Sequence, residues 1–221
     1  MNFLFSTIGK KIQIAISGIL LSIFLLFHLF NNLILFLGDE SFNGMVQFLK
    51  SIHIIIRIME FGLLAIILLH IINAILITIQ NKKSNKHAYA MQSKPVTAPL
   101  NSRTMLFSGI VILLFFIFHL RYFWYSFQNM EITDNFFNTV LRTDFGYLGH
   151  LPTAIFYITA ILLIAFHLRH GFLSAFKTFG ISSYYREGIL KYISFLFWGI
   201  IPGVFILIII AIQTGYIHVR I

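Results

Sequence analysis

This sequence predicts an all-α membrane protein of five transmembrane helices. Three features carry that prediction: five apolar stretches of bilayer-spanning length, charge concentrated between them, and one histidine well inside each of the first four. With 58% hydrophobic, 17% aromatic and only 10% charged residues, the 221-residue chain lacks the polar surface that a water-facing globule of this size needs.

A bilayer core takes about 20 apolar residues per helix, and the stretches run over roughly 12–36, 53–79, 104–127, 148–175 and 191–215. Span I begins after Lys10 and Lys11 and ends at Gly38, Asp39 and Glu40. Its apolar run is longer than that of a cleaved signal peptide, so it reads as a retained helix. Spans II and III are separated by a polar segment from Asn81 to Arg103 that carries Pro95 and Pro99, two helix breakers. A second loop, around Glu131 to Asp144, holds three of the seven acidic residues, and a third contains Lys177, Gly180, Arg186 and Lys191. Residues 1–221 therefore read as one transmembrane domain with no separate soluble unit.

Charge sets the orientation. A cytoplasmic N-terminus assigns Lys10, Lys11, Lys82, Lys83, Lys86, Lys94, Arg103, Arg169, Lys177, Arg186 and Lys191 to the inside, as positive-inside topology requires. Lys50, Arg57, Arg121, Arg142 and Arg220 fall outside, together with every acidic residue except Glu187. The net charge of +9 thus belongs to loops and topology rather than to a nucleic-acid surface. Function is bounded from the other side by what is missing. The absence of cysteine excludes disulfides, thiolate zinc sites, iron–sulfur clusters and covalent c-type haem, and no glycine-rich nucleotide fingerprint is present.

An ionisable side chain inside a span is costly and marks a functional site by default. His28, His70, His119 and His167 occupy spans I to IV, three of them in the tripeptides Phe27-His28-Leu29, Phe118-His119-Leu120 and Phe166-His167-Leu168. Each lies about two-thirds along its span, and the spans alternate in direction, so the depths fall into two tiers. At 1.5 Å per residue, His28 and His119 stand ~22 to 24 Å from the cytoplasmic ends and His70 and His167 ~12 to 14 Å. A b haem takes two axial imidazoles from opposite faces. Pairing I with III and II with IV therefore makes a four-helix bundle around two stacked bis-histidine haems, whose work is electron transfer. Each ligand ring should donate its other N–H to a carbonyl one turn back or to a hydroxyl. A lone membrane histidine more often bridges helices, and His170, three residues after His167, competes with it as ligand or propionate partner. His53, His87, His150 and His218 read as interfacial or solvated.

Ser17 and Ser108 each precede an outer-tier histidine by eleven residues, which places both at inner-tier depth, as ring partners or as ordinary small packing residues. Arg121 and Arg169 follow a histidine by two and point away from it, toward headgroups. Glu60 lies within span II at outer-tier depth, either as a proton carrier for a quinone or as a salt-bridge partner of Arg57. Asn31, Asn32 and Asn73 serve a quinone or bridge helices. Span V carries Pro202 and stands outside the histidine bundle.

Lys10-Lys11, Ser17-Gly18, Phe27-His28-Leu29 with Asn32, His70, His119 and His167-Leu-Arg-His-Gly171 together resemble the cytochrome b558 family, the single-subunit, five-helix, di-haem anchors of bacterial succinate dehydrogenases and fumarate reductases. The resemblance covers essentially the whole chain. It implies two non-covalent b haems, with His28 and His119 on the one distal to the catalytic subunits and His70 and His167 on the proximal one. The spacing to Gly171 favours His167 over His170. It further implies a bacterial inner-membrane location and, as cytoplasmic partners, a flavoprotein with covalent FAD and a three-cluster iron–sulfur subunit. Menaquinone is the implied quinone, and a dimer of heterotrimers the implied assembly. Alternatives are a di-haem anchor of a hydrogenase or formate dehydrogenase, an ascorbate-type transmembrane reductase, and a haem-free scaffold or transporter.

Overall fold

The structure is a computed structural model and describes residues 3–88, 100–181 and 188–218, the side chains of 82–88 and 100–104 excepted. Among the described residues it is all helical. The helices are α1 (Thr7–Leu33), α2 (Asp39–Ser51), α3 (His53–Ala88), α4 (Leu100–His119), α5 (Tyr125–Asn129), α6 (Phe136–Leu141), α7 (Leu151–Thr178), α8 (Ile189–Phe195) and α9 (Ile201–Gln213). Among the described residues, five segments are long and apolar enough to cross a membrane: Thr7–Leu37, His53–Asn81, Met105–Asn129, Leu151–Thr178 and Ile189–Gln213. The chain is a multi-pass membrane protein with five candidate spans.

The helix ends depart from the sequence reading for local reasons. Helix α1 starts at Thr7, because the Ser6 hydroxyl accepts the Gly9 N–H at 3.0 Å and caps it; Lys10 and Lys11 lie inside the helix rather than before it. Helix α3 runs on to Ala88 and α4 opens at Leu100, so both ends of the expected polar loop are helical. Gln80, Lys82, Lys83, Lys86 and Ala88 are polar or small but good helix formers, and polarity alone misread them. Pro95, Pro99, Lys94, Arg186, Glu187 and Arg220 lie outside the described residues.

Two helices stand where loops were expected. Asp39 and Glu40 open α2 and Lys50 closes it, each charge matched to the helix dipole, while Phe42 and Val46, four apart, bury one face. That face meets α6 within the loop expected from Glu131 to Asp144. Phe42 and Phe137 pack edge to face at 6.2 Å, the Phe137 N–H donates to Asn43 Oδ1 at 2.9 Å, and Asn135 caps α6 through the Asn138 N–H at 2.9 Å. Phe136 is fully buried, and Lys50 donates to the Met130 carbonyl. Together α2 and α6 close one end of the molecule. The Arg142 guanidinium, 2.6 Å from Asp144, holds that exposed carboxyl below the usual carboxylate range.

The turn into α7 depends on Gly146. Its φ of +104° lies in the left-handed region, its N–H donates to Thr153 Oγ1 at 3.1 Å, and a Cβ there would stand 2.0 Å from Tyr122 Cδ1. Gly146→Ala is expected to destabilise the protein by roughly 2–4 kcal/mol, from backbone strain plus a ring that must move. Thermal unfolding of the detergent-solubilised protein reads this directly, and an unchanged midpoint would contradict it.

Helix α7 sits centrally, packed on α1, α4 and α9, and α1 packs in addition on α3 and α9. Two wide π-turns interrupt the spans, Leu120–Trp124 directly after His119 and Leu196–Ile200 just before Pro202. Such a turn inserts one residue and re-aims those that follow it. The second also supplies the irregular backbone in which a mid-span proline fits.

Candidate functional site

The helix contacts do not by themselves join the histidines. Helix α1 packs closely on α3 and α7, and α4 on α7. The histidine pairs bridge the other combinations: His28 of α1 faces His119 of α4, and His70 of α3 faces His167 of α7. The ring centroids are 5.7 Å apart in the first pair, with planes at 88°, and 6.4 Å apart in the second, with planes at 62°. An imidazole nitrogen binds a metal at about 2 Å, so an ion held between two of them sets the centroids about 6 Å apart. Both separations fit that spacing. Among the described residues no three metal-ligating side chains gather, so the histidines come as two pairs.

The surroundings of the two pairs differ. Ser17 Oγ lies 3.0 Å from His70 Nδ1 and donates its proton to the Gln13 carbonyl at 2.7 Å. Ser108 Oγ lies 3.3 Å from His167 Nδ1 and donates to the Met105 carbonyl at 3.0 Å. Gly18 and Gly109, the next residues in each case, leave the space beside those rings free: an added Cβ would stand 3.4 Å from His70 Cε1 and 3.9 Å from His167 Cε1. The other pair is framed by aromatic rings. His119 stacks on Phe123 at 5.4 Å, with Phe115 at 5.8 Å and the Tyr157 hydroxyl 3.4 Å from its Nδ1. His28 stacks on Phe24 at 5.6 Å and meets Phe205 of α9 at the same distance. Span V carries none of the four histidines, but the π-turn and α9 bring the Phe205 ring against His28.

Three of the four rings thus have a side-chain hydroxyl at Nδ1, as expected of second partners in kind, though spacing identified only the two serines. Tyr157 was missed because it lies in an apolar, aromatic-rich span with no sequence offset that sets it apart. Asn32 reaches its own helix, donating to the His28 carbonyl at 2.8 Å, with its Nδ2 3.5 Å from His28 Nε2.

The remaining residues singled out in the sequence separate cleanly. His170 makes no ring contact or hydrogen bond among the described residues, and it is His167 that meets His70. Glu60 takes Arg57 Nη1 at 2.7 Å, Trp124 Nε1 at 2.9 Å and Gln128 Nε2 at 3.2 Å, and Arg57 also bonds Gln128, so the expected ion pair is part of a four-residue cluster joining α3 to the end of the third span. Asn73 bridges α3 to α1 through Gln13 Oε1 at 2.8 Å, and Asn31 is exposed. Arg121 lies over Tyr125 at 4.9 Å and Arg169 over Trp198 at 5.1 Å, both on aromatic shelves rather than on the histidines. His53 and His218 are exposed, His150 Nδ1 meets Thr153 Oγ1 at 2.9 Å, and the His87 side chain lies outside the described residues.

Compared with protein-family profiles, with curated proteins and with solved structures, the chain matches none.

Proposed function

We propose that this protein is the cytochrome b anchor of a succinate:quinone oxidoreductase, a succinate dehydrogenase or fumarate reductase of the bacterial inner membrane, and that it conducts electrons across that membrane. The observation that carries the proposal is the opposition of four intramembrane imidazoles as two pairs, each spaced for one metal and each joining helices that do not pack closely on each other. Costly polar groups placed in this way need a ligand to repay their burial, and a simple helix-bridging role leaves the matched spacing unexplained.

His28 with His119 would hold one b haem and His70 with His167 the other, in a four-helix bundle of spans I to IV. When bound, the haems would supply one-electron transfer. The chain's own residues do the rest. With two histidines holding each haem, the iron would keep no open position for oxygen. Phe24, Phe115, Phe123 and Phe205 wall the first pair with apolar surface and keep water from it. With the N-terminus cytoplasmic, the His70–His167 pair lies toward the basic face, where an iron–sulfur subunit and its FAD-bearing flavoprotein would dock. The Glu60 cluster lies beyond the opposite pair, beside Trp124 and Gln128 past His119, where a carboxylate can hold the proton that quinone chemistry exchanges. Menaquinone is the expected quinone.

Affinity purification of the chain from its native membrane tests the assignment. The expected product is a red complex with one covalent flavin per chain, iron and acid-labile sulfur, and succinate-dependent quinone reduction. A haem-bearing complex without flavin would move the chain to the anchor of another respiratory enzyme, such as a hydrogenase or formate dehydrogenase.

A further inference from the structure

Ser17-Gly18 and Ser108-Gly109 recur at the same distance before His28 and His119, yet neither serine serves the histidine of its own helix. Ser17 reaches across to His70 and Ser108 to His167, and both are buried, at 1% and 6% exposure. A hydroxyl has one proton. Ser17 commits it to the Gln13 and Ile14 carbonyls, at 2.7 and 3.1 Å, and Ser108 commits it to the Met105 carbonyl at 3.0 Å. With those protons engaged, both oxygens are placed to accept from the rings, the arrangement in which Nδ1 of His70 and of His167 carries the hydrogen. Nε2 is then the bare nitrogen of each ring, and it has no hydrogen-bond partner among the described residues.

We propose that Ser17 and Ser108 are paired positioning residues, which hold His70 and His167 with Nε2 free for the metal and which together set the reduction potential of the centre between them. The proposal rests on the bis-histidine haem reading and adds its regulation. A ring N–H that donates to an oxygen is pulled toward imidazolate character, which strengthens the opposite nitrogen as a donor and favours the oxidised metal. The oxygen is a better acceptor because its own proton is engaged, so the effect is reinforced along each chain of bonds. Two serines act on one centre from opposite sides, in the same direction. The other pair lacks this arrangement. There only one ring has a hydroxyl partner, Tyr157 at 3.4 Å from His119 Nδ1, and neither serine bonds either ring, so that centre is an internal control.

The test is a spectroelectrochemical titration of the purified complex carrying Ser17→Ala, Ser108→Ala or both, with haem content measured alongside. Both haems are expected to remain, with the midpoint of the His70–His167 centre rising in each single variant and further in the double variant. At the wild-type midpoint that centre should become several-fold more reduced, and the His28–His119 centre should not move. Ser17→Thr and Ser108→Thr keep the acceptor and should restore the wild-type midpoint. Full haem with an unmoved midpoint, or an equal shift of both centres, would overturn the proposal. So would loss of the His70–His167 haem in the threonine variants as well as in the alanine ones. Wild-type protein without haem would instead sink the reading on which the proposal stands.

Discussion

His119→Ala and His28→Ala are each expected to remove one of two b haems, the same one in both cases, while His70→Ala and His167→Ala each remove the other. The selectivity follows from the ring geometry, since each imidazole has one partner at metal-sharing distance, 5.7 Å for the first pair and 6.4 Å for the second. Reduced-minus-oxidised spectra of membranes distinguish the two losses, and the double variant His28→Ala with His119→Ala should look like either single one. His170→Ala is expected to keep both haems, because its ring touches neither pair. A variant at His167 with both haems intact, beside a variant at His170 that loses one, would reverse the ligand assignment.

Glu60→Gln is expected to lower electron transfer between succinate and quinone by at least about tenfold, a modest value for loss of a proton-carrying group. Transfer from succinate to a soluble dye, which needs no quinone site, should stay unchanged. Glutamine preserves shape and can keep contacts with Trp124 and Gln128, and the partly exposed ion pair with Arg57 contributes only about 0–1 kcal/mol, so folding is not the variable. Equal rates with quinone in variant and wild type would reduce the cluster to a tie between helices.

The histidine pairing was legible in the sequence because it needs only depth and direction. A 1.5 Å rise per residue and alternating spans put His28 level with His119 and His70 level with His167, whatever the helices' rotation. Ser17 and Ser108 were legible for the same reason, as residues three turns from a histidine on nearly the same face. What stayed hidden depends on contacts between elements. Tyr157 meets His119 and Phe205 meets His28 only through the packing of α7 and α9, and no spacing encodes that. The π-turn after His119 was likewise unreadable, since Leu120–Trp124 has the composition of any apolar span. Helices α2 and α6 were missed for another reason. Helix α2 is half polar and α6 only six residues long, and they are stable where they stand because Phe42, Val46, Phe136 and Phe137 bury against one another. Polarity taken as a sign of loop also cut α3 short, although Gln80 to Ala88 contains no helix breaker.

The four histidines are proposed to hold two haems. A pyridine haemochrome assay on the purified complex, with the stoichiometry of this chain determined in the same sample, tests it most directly. Two b haems per chain are expected. A colourless preparation with the chain intact would contradict it and return His28, His70, His119 and His167 to the packing of helices.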